Sequence, residues 1–295
     1  MPFCVLLEIA LQPCGWLAAF AGSALHSEND LKFRNLGGQA IVHNTLMPAN
    51  RTLTMRTRMT KVSEAADMII EHYDFMVLDQ GRPVYDGTTY FGFFTAEALA
   101  NQVGLREAVY VPCPDDLKEA MNATFEDTAP RTPDEVPEHT VFKSNGLQMP
   151  AKSLCMIDGI EAFIPHGGPH GLGFVRGYKM VDPDEWFFKA HFYQDPVCPG
   201  SLGVESFLQL IKYAAMQRWP HLIESRNFEM VCETEHQWSY RGQVVPTNRK
   251  VTVDAVITRI EDGDQPVIMA DGWLHVDGIT IYKMVGFGFR CLSRT

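Results

Sequence analysis

Residues 191–210 read HFYQDPVCPGSLGVESFLQL. A histidine is followed by a turn through Asp195-Pro196 and Pro199-Gly200, and then by an apolar run. That order predicts a helix over about 201–217, with Ser201 as a candidate cap after Pro199-Gly200. A histidine placed just before a helix N-terminus can work as a base while the free amides there bind a carbonyl oxygen. His191 is therefore the first candidate catalytic residue, although a histidine beside aromatics is more often simply packed and hydrogen-bonded. Glu205 sits about two turns into the apolar run. A carboxyl buried in such a helix is favoured in its neutral form and can serve as an acid. Gln209 follows at i+4, on the same face, where its amide can hold the carboxyl.

Working outward, the helix has a counterpart near the start of the chain. MPFCVLLEIALQ (1–12) aligns with CPGSLGVESFLQ (198–209) at a shift of 197, pairing Pro2 with Pro199, Glu8 with Glu205, Leu11 with Leu208 and Gln12 with Gln209. PANRTLT (48–54) matches PTNRKVT (246–252), and QGRPVY (80–85) matches DGITIY (277–282), in the same order and at nearly the same shift. The reading is two copies of one domain. Each copy begins with a long apolar helix, roughly 3–22 and 201–217, and continues in strands. LTMRTRMTKV (53–62) and KVTVDAVITRI (250–260) alternate apolar and polar residues as half-buried strands do. DMIIEHYDFMVLD (67–79) turns at Gln80-Gly81 into 83–94, and 266–276 turns at Asp277-Gly278 into 279–289, both as hairpins. A short helix is expected over 95–104. The proline- and acid-rich stretch 109–150 reads as a surface linker. The domains are expected at 1–108 and 153–295, joined by 109–152. Residues 153–200 have no counterpart, which would lie before Met1. Roughly 45 residues of the first copy are therefore expected to be missing, so that copy is read as N-terminally truncated.

Composition narrows the function classes. A net charge of −11 argues against a general nucleic-acid binder, and leaves only a local basic patch around Arg51, Arg56, Arg58 and Lys61. Seven cysteines without a CxxC pair suit neither a disulfide framework nor a zinc site, and fit a reducing cytoplasm. The apolar N-terminus lacks a basic n-region. With Glu8 and Pro13 inside it, it reads as neither a secretory signal nor a membrane span. HGGPH (166–170) lacks further ligands for a metal, and no phosphate loop, GxSxG or HExxH occurs.

DEWFFKAHFYQDPVCPGSLGVESFLQL, with GQVVPTNRKVTV and ADGWLHVDGITIYKM after it, closely resembles the bacterial 3-hydroxyacyl-ACP dehydratase/isomerase family, which has the hot-dog fold. EIALQPCGWLAAF, LKFRNLGGQA, HYDF and GTTYFGFF resemble the dehydratase region of polyunsaturated fatty acid synthases and related polyketide-type megasynthases. The resemblance implies an α+β class with a tandem (double) hot-dog fold, in which two helices are each wrapped by an antiparallel sheet. It implies dehydration of 3-hydroxyacyl thioesters to 2-enoyl thioesters, a hydro-lyase reaction. His191 would remove the α-proton and a carboxylic acid at the Glu8/Glu205 position would protonate the departing hydroxyl. The Gly200 amide would bind the thioester carbonyl, and the Val197 carbonyl would orient the imidazole. In hot-dog dimers base and acid come from opposite protomers. In a tandem chain His191 is therefore expected to work with Glu8, supported by Gln12, while Glu205 and Gln209 face a partner absent here. No cofactor is implied beyond the phosphopantetheine arm of an acyl carrier protein. That carrier and other megasynthase domains are the implied partners, and a homodimer stays open. An apolar acyl channel beside the helices is expected, with Phe207, Trp186 and Phe187 among its lining. Double-bond isomerisation stays open. The rivals are another hot-dog thioester activity, hydratase or thioesterase, and a non-catalytic structural fragment.

Overall fold

The computed structural model describes residues 1–46, 52–65, 68–107, 109–112, 117, 149–150 and 152–293. The expected linker lies mostly outside them, as does Arg51 of the basic patch. In chain order the elements are α1 (Phe3–Ala21), β1 (Leu31–Val42), β2 (Leu53–Ala65), β3 (Met68–Asp79), β4 (Arg82–Thr95), α2 (Ala96–Ala100), β5 (Gly159–Ile164), β6 (Phe174–Met180), α3 (Trp186–Ala190), α4 (Gly200–Arg218), β7 (Arg226–Met230), β8 (Glu235–Tyr240), β9 (Lys250–Glu261), β10 (Val267–Val276) and β11 (Ile279–Ser293). Both long helices fall where apolar periodicity placed them. Ser201, however, does not cap α4. Pro199 is the cap, without a side-chain hydrogen bond, and Ser201 lies inside the helix. Proline fits there because helix starts need no N–H from the residue entering them.

Among the described residues eleven strands form one antiparallel sheet in the order β2-β3-β4-β1-β8-β11-β10-β9-β6-β5, with β7 paired to β11 off that path. Helix α1 lies across β2, β3 and β4, and α4 across β6, β9, β10 and β11. The two helices also pack on each other over a shared apolar core. Phe3, Leu7, Ala10, Leu11 and Cys14 of α1, and Val204, Phe207, Leu208 and Ile211 of α4, are buried in it. Each large apolar side chain so buried contributes on the order of 1.5–3 kcal/mol. Long helices laid against an antiparallel sheet are the expected α+β hot-dog arrangement. In β2, Leu53, Met55, Thr57 and Met59 are partly covered, while Thr54, Arg56, Arg58 and Thr60 are exposed, as the alternation predicted. Both hairpins turn where expected. Gln80-Gly81 and Asp277-Gly278 have φ of 50° and 81°, and of 48° and 88°, the left-handed pair that matches the twist of a two-residue turn.

The register of elements repeats. Helix α4 and strands β9, β10 and β11 follow α1, β2, β3 and β4 at nearly the same displacement, 197 residues from Phe3 to Gly200 and from Leu53 to Lys250, and 199 from Met68 to Val267. The half-sheets meet where β1 pairs β8, from Gly37↔Ser239 to Ile41↔Glu235. Gly37 and Gly38 are needed at this seam. A Cβ on Gly37 would lie 2.5 Å from the Trp238 carbonyl oxygen, and one on Gly38 2.5 Å from the Trp238 ring. Trp238 Nε1 donates to Asn35 Oδ1 at 2.9 Å across the same seam.

His43, just past β1, joins the halves from the surface. Its Nε2 meets Asp86 of β4 and its Nδ1 lies 2.9 Å from Glu233, ahead of β8. Burial disfavours the imidazolium, but hydrogen bonds and Coulomb attraction to Asp86 and Glu233 outweigh it, so the His43 pKa is raised. A raised folded-state pKa gives stability that is full below the unfolded value, about 6.5. It is lost as pH rises through the folded value. Thermal unfolding of His43→Gln beside the wild type should show a larger stability gap at pH 5.5 than at pH 8.5. An equal gap at both would mean that the imidazolium bridge adds nothing.

Candidate active site

His191 follows α3, where its backbone N–H donates to the Phe187 carbonyl at 3.0 Å. Its Nδ1 lies 2.9 Å from the carbonyl oxygen of Val197. A carbonyl can only accept, so Nδ1 carries the proton and Nε2 keeps its lone pair. Burial lowers the His191 pKa. The Val197 hydrogen bond and the charges of Glu8 and Asp195 oppose that shift, while the Arg34 charge adds to it. The imidazole is thus neutral and oriented, as a general base must be.

Glu8 reaches the same place from the other half of the sheet. Its Oε1 accepts from Ser201 Oγ at 2.5 Å and its Oε2 lies 3.4 Å from Gln12 Nε2. Ser201 is the second residue of α4, so the carboxyl of α1 is held at the N-terminus of α4. Gly200 opens that helix, and its amide has no acceptor within the helix. A Cβ on Gly200 would lie 2.5 Å from the Tyr240 ring. Glycine therefore lets Tyr240 close over the helix end. Among the described residues the buried Tyr240 hydroxyl has no hydrogen-bond partner, and burial pushes its pKa well up.

Glu8, Gln12, His191, Val197, Gly200 and Tyr240 all line one cleft of about 640 Å³. Its apolar wall comes from Trp16, Phe33, Phe91 and Phe93 of the first half. This corrects the expected acyl channel. Phe207 is fully buried in the core, and Trp186 is half exposed and donates to the Ser153 carbonyl at 2.9 Å. Phe187 faces a separate, smaller cavity. Glu205 and Gln209 are not in the cleft either. Gln209 Nε2 lies 3.0 Å from Glu205 and 2.7 Å from the Leu154 carbonyl, and its Oε1 accepts from the Met156 amide at 2.9 Å. Lys212 Nζ stands 3.5 Å from Glu205. The segment 154–156 is thus tied to Glu205 through Gln209.

Sequence reasoning missed three contributors. Ser201 reads as a cap, and Tyr240 carries no local signal. Asp195 reads only as part of a turn, yet it forms a two-pronged ion pair with Arg34 of β1 at 2.6 and 2.8 Å.

Residues 149–285 match the model of the FabA-like domain. Over this segment, a little under half of the chain, the sequence is similar to that family. The match covers β5 to β10, the first part of β11, α3 and α4, and with them His191, Gly200 and Glu205, but not Glu8. The whole chain is similar to one of the polyunsaturated fatty acid synthase subunits of Thraustochytrium sp., 31% identical over 303 positions. That alignment covers 99% of this chain and 20% of the relative, so the chain spans about a fifth of that protein's length. The expected family is borne out on both counts, the FabA-like signature and the likeness to a polyunsaturated fatty acid synthase. Among solved structures, a protein described as an oleoyl thioesterase from Lactobacillus plantarum superposes with a TM-score of 0.51 at 12% identity, over 99% of this chain and 89% of its own. At that identity the likeness speaks for the fold alone. The 12:0-ACP thioesterase of Umbellularia californica gives 0.45 at 11% identity, over 100% of this chain and 90% of its own.

The contact between Gly200 and Tyr240 makes a test of the FabA-like helix start. Gly200→Ala should destabilise the fold by about 1–3 kcal/mol through overpacking, read by denaturant unfolding. A variant as stable as the wild type would show that the ring yields freely.

Proposed function

We propose that the chain is a 3-hydroxyacyl-[acyl-carrier-protein] dehydratase, a hydro-lyase acting within a polyunsaturated fatty acid synthase. The observation that carries this reading is the meeting of a neutral, oriented His191 with Glu8 at the N-terminus of α4. We further propose two hot-dog units, 1–108 and 153–295, joined by 109–152. The repeated element register supports this, and the base and acid would then come from opposite units.

In the reaction His191 Nε2 takes the α-proton of the acyl thioester. The Gly200 amide, at the positive end of α4, receives the thioester oxygen as negative charge gathers on it. The bond from the β-carbon to the hydroxyl breaks, and the Glu8 carboxyl supplies the proton with which that hydroxyl leaves as water. Imidazolium and carboxylate remain, and a proton passing between them or through solvent resets the site. Gln12 and Ser201 hold the carboxyl, and Val197 holds the imidazole. Loss of water changes no net oxidation state and transfers no group to a carrier, so the chemistry calls for no cofactor of its own. The substrate arrives on the phosphopantetheine arm of an acyl carrier protein. The aromatic wall of the cleft takes the acyl chain. A cytoplasmic setting among other synthase domains fits this role.

Dehydration of a 3-hydroxyacyl carrier thioester tests the assignment. His191→Ala and Glu8→Gln should each lower kcat by about 10²–10⁴-fold, whereas Glu205→Gln should stay within a few-fold of wild type. Loss of activity in Glu205→Gln with Glu8→Gln active would reverse the choice of acid. Release of free carrier and acid in place of enoyl thioester would make the chain a thioesterase.

A further inference from the structure

Arg34 stands 157 positions ahead of His191, on a strand of the other half-sheet; it lies outside the FabA-like segment, and the mechanism above does not use it. We propose that Arg34 is a positioning residue for the His191 imidazole, acting through Asp195 and Phe192. This rests on the dehydratase reading for its consequence in catalysis, but not for its geometry.

The guanidinium is fixed at four points. Nη1 and Nη2 donate to the two oxygens of Asp195 at 2.6 and 2.8 Å. Nε donates to Gln243 Oε1 at 2.9 Å, and Nη1 also donates to the Phe33 carbonyl at 2.9 Å. The planar fork makes this a rigid clamp in a way that an ammonium cannot reproduce. Asp195 lies in the loop between His191 and α4, two residues before Val197, whose carbonyl holds Nδ1. Fixing Asp195 therefore fixes the acceptor that sets the tautomer. The second route runs through Phe192. Its ring stacks on the His191 ring at 4.0 Å between centroids, and the Arg34 guanidinium carbon stands 5.8 Å from the centroid of Phe192. Ring, loop and cleft wall are thereby joined to the first half of the sheet, the half that also brings Glu8.

The charges facing His191 give the clamp a signature that packing lacks. Glu8 from α1 and Asp195 from its own loop favour the imidazolium, and Arg34 from β1 disfavours it. Arg34 thus balances one of two carboxylates. Without it the Asp195 charge is left unbalanced, and the base stays protonated to higher pH.

The test uses ¹⁵N-labelled full chain, with the His191 ring signals assigned by their loss in His191→Ala, and kcat/KM on a 3-hydroxyacyl pantetheine thioester from pH 5 to 9. The wild type should show the Nδ1–H tautomer. Arg34→Gln should move the His191 titration and the acidic limb of the pH profile upward by roughly half to one pH unit, with a kcat loss of about tenfold or more. The double variant Arg34→Gln/Asp195→Asn should bring the titration back towards wild type while kcat stays low. Arg34→Lys should keep the titration near wild type and recover only part of kcat. An unmoved His191 titration and tautomer in Arg34→Gln would overturn the proposal, whatever happens to activity. A titration that moves as stated in a chain showing no dehydration would leave the clamp standing and remove the dehydratase reading instead.

Discussion

A carboxyl from one half of the molecule is held at the start of a helix from the other half, by a hydrogen bond of 2.5 Å from Ser201 to Glu8. The rest of the site depends on that contact. It sets where α1 meets α4, and so which residues share the cleft with His191. The contact is possible because the two half-sheets are one continuous surface, joined where Gly37 and Gly38 let β1 approach Trp238. Side chains larger than hydrogen at the seam would push the halves apart and carry Glu8 away from the helix end.

The two halves repeat their elements but not their chemistry. Cys4 stands where Ser201 stands one displacement later, and Phe3 stands at the position of Gly200. Cys4 is buried, and burial with the neighbouring Glu205 pushes its thiol well up, so it behaves as a small apolar group. Phe3 fills the space beside Tyr85, His236 and Phe287 in edge-on contacts. Glu205 is buried, held by Gln209, which is itself bound to the backbone of Leu154 and Met156, and has Lys212 beside it. One helix start is thus open, with a glycine and a hydroxyl, and the other is filled with aromatic core. The same architecture yields a cleft on one side and packing on the other through a few side-chain volumes.

The neutral state of His191 also comes from several sources at once. Burial lowers its affinity for a proton, and the Val197 carbonyl and two carboxylates work against burial. Arg34 restores the balance from a different strand. A base that must be unprotonated and aimed needs both effects: burial and Arg34 keep the imidazole neutral, and the loop that carries Val197 aims it.

How much of this was legible in the sequence depends on distance along the chain. The long helices, the alternation in β2, the two-residue hairpins at Gln80-Gly81 and Asp277-Gly278, and the FabA-like family were readable. Each is carried by neighbouring residues, or by a motif that the chain contains whole. The repeat offset was readable too, because it compares the chain with itself. The true lining of the cleft was not. Phe207 and Phe33 look alike as apolar residues, and only packing decides that one fills the core and the other the cleft wall. Ser201 reads as a helix cap by local rules, yet it turns to Glu8, 193 residues away. Arg34 and Asp195 are 161 residues apart, and no spacing rule links them. Local propensity and periodicity determined the elements. Which side chains meet was decided only by the tertiary fold, because those contacts depend on how the sheet brings distant strands and helix ends together.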